Sequence, residues 1–265
     1  MKIIEGLPEA EYHAIEAMSA SRLKVLEYGT PAHLTHWLAE DRTSEAMRIG
    51  SAMHCLALTP DHFARDYSVA PECDRRTTAG KAQWAEFEGN ASGRTVLSAK
   101  EYRTAADMAE SVRLHPDASK ILAACDQREL TVVGEVDGIP VKMRLDLYSE
   151  KGIIGDIKSM SDQASPRNCE AYAVKYGVWL QMALYRRLRI APHGASVIFV
   201  ESKAPHCVAV RTLAAIDLEC YDPVLNACIE KYKRWMKNPN DGWTSGEPLR
   251  IARWKSYEME QSPNV

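Results

Sequence analysis

The sequence predicts a mixed α/β chain of the α+β kind: a helical N-terminal part packed on a central sheet that is itself flanked by helices. Three observations carry this. Apolar residues recur at helical spacing up to about residue 125, and the period then switches from about 3.6 to about 2. Two glycine-containing turns, Asp137-Gly138 and Lys151-Gly152, divide the alternating stretch into three successive segments. No internal repeat or low-complexity linker interrupts the pattern, so the expectation is one domain over 1–265, with a helical part at 1–125, a core at 126–238 and an irregular tail at 239–265.

The elements follow from local chemistry. Ser19 or Ser21 caps a helix through Leu23 and Leu26 that Gly29-Thr30-Pro31 ends, and a second short helix carries Leu34, Trp37 and Leu38. A third runs from about Ser44 to Leu58, stopped by Thr59-Pro60. The stretch Pro71 to Gly80, with Arg75-Arg76-Thr77-Thr78, reads as an exposed loop. Ser98-Ala99-Lys100-Glu101 is a capping box opening a helix with Tyr102, Ala106, Met108 and Ala109, and Pro116 starts another that reaches Cys125. Residues 128–136 and 139–149 alternate as strands, joined by an Asp-Gly pair suited to a turn whose two positions both need φ > 0. Lys151-Gly152 leads into a third strand, Ile153 to Lys158, giving an antiparallel meander. A helix from about Arg167 to Arg189, strands near 195–201 and 206–213, and a helix from Ala215 to Met236 complete the reading.

Composition narrows the function classes. With 46% hydrophobic and 26% charged residues the chain is not disordered, collagen-like or fibrous. Lys and Arg number 33 against 36 Asp and Glu, so 33 − 36 = −3, and any contact with nucleic acid must be local. A charge-driven histone-like binder is excluded, whereas an enzyme with a basic groove is not. Seven cysteines without a C-x-x-C pair argue against a disulfide scaffold or a zinc ribbon, and they are expected to pack as small apolar groups. The start, Met1 to Pro8, lacks an apolar targeting core, and no apolar run approaches the roughly 18 residues of a membrane span, so the expected location is the cytosol.

Candidate chemistry sits on the meander. Val141, Met143, Leu145 and Leu147 alternate with Lys142, Arg144, Asp146 and Tyr148, which places Asp146 on a polar face beside two cations. In the next strand Asp156 and Lys158 share one face while Ile157 points to the other, with roughly 7 Å between the two Cα atoms. Two carboxylates on neighbouring strands can converge on one hard cation. Mg²⁺, with Mn²⁺ as substitute, takes oxygen ligands and keeps several waters, so Asp146, Asp156 and the Ile157 carbonyl make a sufficient partial shell. Lys158 is then placed to orient or deprotonate an attacking water, or to neutralise charge on a phosphate. A D-x-K triplet alone also fits an ordinary charged strand at solvent. Its spacing from Asp146, ten residues ahead across a tight turn, favours phosphodiester hydrolysis.

Asp146, then Asp156-Ile157-Lys158, then Gln181-Met182-Ala183-Leu184-Tyr185 resemble the PD-(D/E)XK nuclease superfamily in its RecB-like branch, whose upstream G-x-x-x-H element is present as Gly50-Ser51-Ala52-Met53-His54. More narrowly, Ser19-Ala20-Ser21-Arg22-Leu23, Pro31-Ala32-His33, Arg48 to His54 with Leu58-Thr59-Pro60, and Glu201-Ser202-Lys203-Ala204-Pro205 resemble the exonuclease VIII (RecE) C-terminal nuclease family. The likeness extends from about residue 19 to 213. It implies a restriction-endonuclease-like core with a central mixed sheet, with Asp146 and Asp156 as metal-binding acids, Lys158 as the catalytic lysine, His54 as a metal-proximal histidine and Gln181 with Tyr185 as the helix pair beside the site. Glu129 takes the place of an extra acid for a second metal, with Glu135 as a nearby competitor. The likeness further implies a Mg²⁺-dependent exodeoxyribonuclease acting on double-stranded DNA ends with 5′-to-3′ polarity and 3′ single-stranded tails. It also implies a phage or prophage recombination setting, a single-strand annealing protein as partner and a ring-shaped homo-oligomer. An iron–sulfur cluster is not expected, because Cys220 and Cys228 do not supply the closely spaced C-terminal cysteines of the branch that carries one.

Residue by residue, other readings stay open. His54 among Met53, Leu56 and Ala57 also fits a packed histidine, and Gln181 with Tyr185 also fits ordinary helix packing. Gly50 and His54, Gly177 and Gln181, and Gln181 and Tyr185 are each four apart and share helix faces, and a glycine at such a position admits close approach of another backbone. Arg186-Arg187-x-Arg189, Arg75-Arg76 and Lys231-Tyr232-Lys233-Arg234-Trp235 form either solvated faces or a phosphate track. Two further function classes remain: a structure-specific or single-strand endonuclease using the same metal site, and a non-catalytic DNA-binding or assembly protein on the same fold.

Overall fold

The computed structural model describes residues 1–40 and 43–242. Strand β1 (Lys2–Ile4) and helix α1 (Glu9–Ala14) precede the helices that the capping residues predict. Ser19 caps α2 (Ala20–Tyr28) by accepting from the Arg22 N–H, Thr30-Pro31 opens α3 (Pro31–Ala39), and Ser44 caps α4 (Glu45–Leu58). A side-chain cap of this kind is worth about 1 kcal/mol. A 3-10 turn at Pro60–His62 leads into α5 (Phe63–Asp66), β2 (Tyr67–Val69), α6 (Thr78–Asn90) and β3 (Thr95–Leu97). The Ser98–Glu101 capping box forms at α7 (Ala99–Leu114), and Pro116 opens α8 (Pro116–Ala124). The meander is β4 (Gln127–Val136), β5 (Ile139–Ser149) and β6 (Ile153–Met160). Asp137 and Gly138 both take left-handed φ, 52° and 79°, as their turn requires. Then come α9 (Pro166–Lys175), α10 (Val178–Arg187), β7 (Gly194–Glu201), β8 (Val208–Ala214), α11 (Ala215–Cys220) and α12 (Asp222–Lys237).

Two expected long helices are each broken. The one from Arg167 to Arg189 divides at Gly177, whose φ of 63° is left-handed and ends the first helical run. The one from Ala215 to Met236 divides at Tyr221, and Pro223 sits in the first turn of α12, where its missing N–H costs nothing. The exposed loop expected at 71–80 runs to Thr77, which caps α6 at its end. Strands β1, β2 and β3 have three residues each, too short to leave a period in the sequence. Of the tail expected at 239–265, residues 243–265 lie outside the described residues.

The sheet runs β1-β4-β5-β6-β7-β8, antiparallel throughout except for β6 and β7, which are parallel and joined through α9 and α10. Strands β2 and β3 form a separate parallel pair. One core joins Leu130, Val132, Val141, Met143 and Phe199 of the sheet to α2, α3, α9, α10 and α12. A second joins Leu147, Ile157, Ile198 and Val200 to α4, α7 and α8. The mixed, mostly antiparallel sheet therefore lies between two helical layers, and α4, α7 and α10 are held at fixed positions around its middle.

Candidate active site

Strands β5 and β6 pair from Ser149↔Ile153 to Leu147↔Gly155 and then part. In the same register the next rung would join Asp146 to Asp156. There the ladder lapses, and Asp146 Oδ2 instead accepts a hydrogen bond from the Ile157 N–H at 2.7 Å. The released edge of β5 is taken up farther along by Met18, whose N–H donates to the Pro140 carbonyl and whose carbonyl accepts from the Lys142 N–H, both at 2.8 Å. Between the two attachments an opening remains, and two sets of polar side chains face it.

The first set comes from three elements. His54 on α4 places Nδ1 3.4 Å from Asp146 Oδ2 and 3.9 Å from Glu129 Oε1 on β4. Glu129 has φ of 49°, a left-handed conformation that costs a non-glycine residue on the order of 1–3 kcal/mol and persists only when its surroundings hold it. Arg144 Nε, 2.8 Å from Glu129 Oε2, is one such restraint. Burial, and then the Asp146 charge, push the Glu129 carboxyl up to about 7. Its competitor Glu135 is exposed near the other end of β4, opposite Pro140, and takes no part in the cluster.

The second set is a chain of donors. Tyr185 OH donates to the Arg144 carbonyl at 3.1 Å, and Gln181 Nε2 donates to Tyr185 OH at 2.9 Å and to Asp156 Oδ1 at 2.7 Å. Lys158 Nζ lies 2.8 Å from the other oxygen, Asp156 Oδ2. Asp156 is 2% exposed, and burial raises its carboxyl pKa despite Lys158. Burial works against the Lys158 ammonium, but Asp156 and Asp146 outweigh it and hold the pKa above the ordinary lysine value. At neutral pH this lysine is therefore a donor and a positive charge.

Whether these residues fit a hard cation can be tested on distances. Ligand atoms of His54, Glu129 and Asp146 all lie within 4.8 Å of one another. On an octahedral ion with bonds of about 2.1 Å, neighbouring ligands stand about 3 Å apart and opposite ones about 4.2 Å. The set fits with small side-chain adjustments, and its two carboxylates suit Mg²⁺ or Mn²⁺. Asp156 faces the opening across the lapsed rung but is not one of the three, because its oxygens are committed to Lys158 and Gln181. Ile157 meets the cluster through its amide, and its side chain is buried in the second core.

Two cavities flank the acids, of about 340 and 650 Å³, and Tyr12, Arg144 and Asp146 line both. Tyr12 belongs to an N-terminal segment that the sequence did not reveal as part of the site. Lys142, expected on a polar face, is 3% exposed because that segment covers it. Its ammonium donates to the carbonyls of Tyr12, His13 and Ile15 at 2.7, 3.0 and 2.8 Å, at the C-terminal end of α1, while Arg144 Nη2 donates to Leu7 O at 2.8 Å. Only an isolated Lys and Arg on alternate strand positions hinted at this. Gly177 is required by its φ, with Lys24 carbons 3.1 Å from a Cβ there, whereas at Gly50 a Cβ would meet only Ser159 Oγ in ordinary contact at 3.4 Å.

Most of the flagged basic clusters are spent internally. Arg186 and Arg187 pair with Asp222, Lys231 caps α2 through the Leu26 and Gly29 carbonyls, Lys233 pairs with Glu230 and Arg234 with Asp241. Arg75 lies 4.0 Å from the centre of the Trp84 ring. Cys55, Cys125, Cys169 and Cys228 are buried as expected, whereas Cys73 is half-buried and Cys207 and Cys220 are exposed, so these three do not pack as core groups.

Residues 19–239 match the model of a family described as a PDDEXK-like domain of unknown function, DUF3799. The chain belongs to this family. The matched span of the PDDEXK-like domain includes every residue of the two sets. The same fold is found in the crystal structure of a candidate exonuclease from Eubacterium rectale, at 14% identity and a TM-score of 0.61, covering 99% of this chain and 96% of that one. A phage-related exonuclease from Haemophilus somnus 129PT aligns at 13% identity and a TM-score of 0.39, over 83% of this chain and 95% of its own. No curated protein matches the chain. Among the described residues no helix is long and apolar enough to cross a membrane.

Proposed function

We propose that this PDDEXK-like protein is a divalent-metal-dependent exodeoxyribonuclease that degrades linear double-stranded DNA from its ends. The observation that carries the reading is the His54, Glu129 and Asp146 cluster standing beside the Asp156–Lys158 pair where β5 and β6 separate. Asp146, His54 and Glu129 would hold the cation, and Asp156 would join the shell on exchanging one of its contacts to Gln181 or Lys158, with the Ile157 carbonyl as a further ligand. When bound, the ion supplies Lewis acidity at the scissile phosphate and a water of lowered pKa. Lys158, kept protonated by the two aspartates, orients the attacking water and offsets charge that builds on the phosphate. Gln181 and Tyr185 fix the Asp156 carboxylate in one orientation.

Action from ends comes from the likeness to exonuclease VIII relatives, and Gly6, Leu7, Tyr12 and His13 of the N-terminal segment line the same cavity as the cluster. The finer features come from the likeness to exonuclease VIII relatives: 5′-to-3′ polarity, 3′ single-stranded tails, an annealing-protein partner, a ring of subunits and a phage-type recombination setting.

The test is digestion of linear and covalently closed circular plasmid with Mg²⁺, with and without EDTA, by wild type and Lys158→Ala. Loss of linear DNA alone, abolished by EDTA and by the substitution, is the expected result. Cutting of closed circles would replace it with an endonuclease, and linear DNA surviving in every lane would replace it with a binding protein.

A further inference from the structure

The cleft does not end at the acids. A third cavity, of about 940 Å³, opens between the first turns of α4 and α7 on one side and α9 with the ends of β6 and β7 on the other. Tyr172 and Tyr176 line both this cavity and the catalytic cleft, so they mark the passage between them. Gly50, one turn before His54, lines it as well.

Its charges differ from those of the basic clusters described above. Lys100, Lys175 and Lys203 line the cavity and Lys24 stands at the passage, and none of the four ammonium groups has an ion-pair or hydrogen-bond partner among the described residues. Facing them are the carboxylates of Glu45 and Asp162, while Glu101 is consumed by Arg48 and by its own capping box. The balance is positive on a molecule whose net charge is −3.

Tyr176 sits at the centre of this arrangement. Its side chain is 42% exposed, with Lys24 Nζ 4.8 Å and Lys175 Nζ 5.2 Å from the ring centre, and the Tyr172 ring packs beside it at 4.3 Å. An aromatic ring set among unpaired ammonium groups matches a base with its neighbouring phosphates. Inside a duplex both faces of a base are covered by its stacked neighbours, so away from the terminal pair a base can meet the ring only when it is unpaired. The geometry points to a single-stranded DNA track: one strand lies in this cavity with a base against Tyr176 and its phosphates on Lys24, Lys100, Lys175 and Lys203, in line with the carboxylate cluster. This rests on the nuclease reading for the identity of the nucleic acid, and adds that the duplex is parted before it reaches the acids.

Binding of a fluorescein-labelled dT10 and of a blunt DNA hairpin, read by anisotropy in EDTA so that nothing is cut, tests the track separately from catalysis. Tyr176→Ala should weaken dT10 binding on the order of tenfold, with Tyr176→Phe restoring it and hairpin binding changing less than about twofold. Lys175→Ala with Lys203→Ala should lower the salt dependence of dT10 binding by about 1.4 in the log–log slope, two phosphate contacts at about 0.7 each. Failure of the wild type to bind dT10, or equal effects of Tyr176→Ala on both ligands, would overturn the track. Binding as described in a protein that cuts no DNA would keep it and remove only the nuclease reading.

Discussion

Arg48, six residues before His54 on α4, was visible in the sequence only as part of a motif. Its Nε and Nη2 both donate to Glu101 Oε1, at 3.0 and 2.6 Å, while Glu101 Oε2 accepts from the Ser98 N–H at 2.7 Å. One carboxylate thus caps α7 and fastens it to the helix that carries His54. Glu101 is 6% exposed, so Arg48→Met leaves a buried charge with half its partners. Breaking a buried pair costs about 3–5 kcal/mol, but the Arg48 side chain is 32% exposed and water can reach the vacated oxygen, which lowers the expectation to about 2–3 kcal/mol. At about 2–4 °C per kcal/mol for a chain of this size, Tm should fall by about 5–10 °C in a thermal melt followed by circular dichroism at pH 7. Adding Glu101→Gln should recover much of the loss, since a neutral amide needs no counter-charge and still accepts from Ser98. Burial pushes the Glu101 carboxyl up, but Ser98 and Arg48 together hold it below its ordinary value. A carboxyl depressed by folding stabilises above its unfolded-state pKa of about 4.3, and that stabilisation is lost as pH falls through the folded value. The gap between wild type and Arg48→Met should therefore close on acidification below about pH 4. A Tm change under about 2 °C at pH 7, or a gap unchanged in acid, would refute the reasoning.

Asp156→Asn should abolish cleavage while leaving DNA binding equal or tighter, since a negative charge facing phosphate is removed; residual cleavage with clearly weaker binding contradicts the assignment. Tyr185→Phe removes a buried hydroxyl that serves both the Arg144 carbonyl and Gln181, so it should cost about 1–2 kcal/mol in a denaturant titration, and an unchanged midpoint counts against the donor chain. With its carboxyl raised to about 7, Glu129 must release a proton to bind metal below that pH. Mn²⁺ affinity measured by calorimetry should rise up to about tenfold per pH unit toward pH 7 and flatten above it, less steeply in Glu129→Gln; identical pH profiles for the two proteins would sink the metal role of this acid.

Much of this was legible in the sequence because it depends on local chemistry. Ser19, Ser44, Ser98 and Pro116 announced their helices, Asp137-Gly138 its turn, and the meander put Asp146 and Asp156 on neighbouring strands. What stayed hidden depends on contacts distant along the chain. Lys142 looked like a surface cation because nothing near it in sequence announces the carbonyls of Tyr12, His13 and Ile15. Arg186 and Arg187 looked free because their acid, Asp222, is brought to them only by folding. Tyr176 was not singled out in the sequence, since its exposure, which sets it apart, is decided by packing and not by spacing.

The parting of β5 and β6 has a mechanical corollary. Strand β6 is secured to β7 along its whole course from Gly155 to Met160, and β5 to β4 from Ile139 to Tyr148, yet β5 and β6 grip each other only near the Ser149 end. The sheet is thus two stiff panels meeting at a short seam, with Asp146 and Glu129 on one panel and Asp156 with Lys158 on the other. Across the gap the panels are tied by side chains, Asp146 to the Ile157 N–H and Gln181 with Tyr185 between Asp156 and the Arg144 carbonyl, so the spacing of the two acidic groups is set by side-chain contacts and not by the strand ladder.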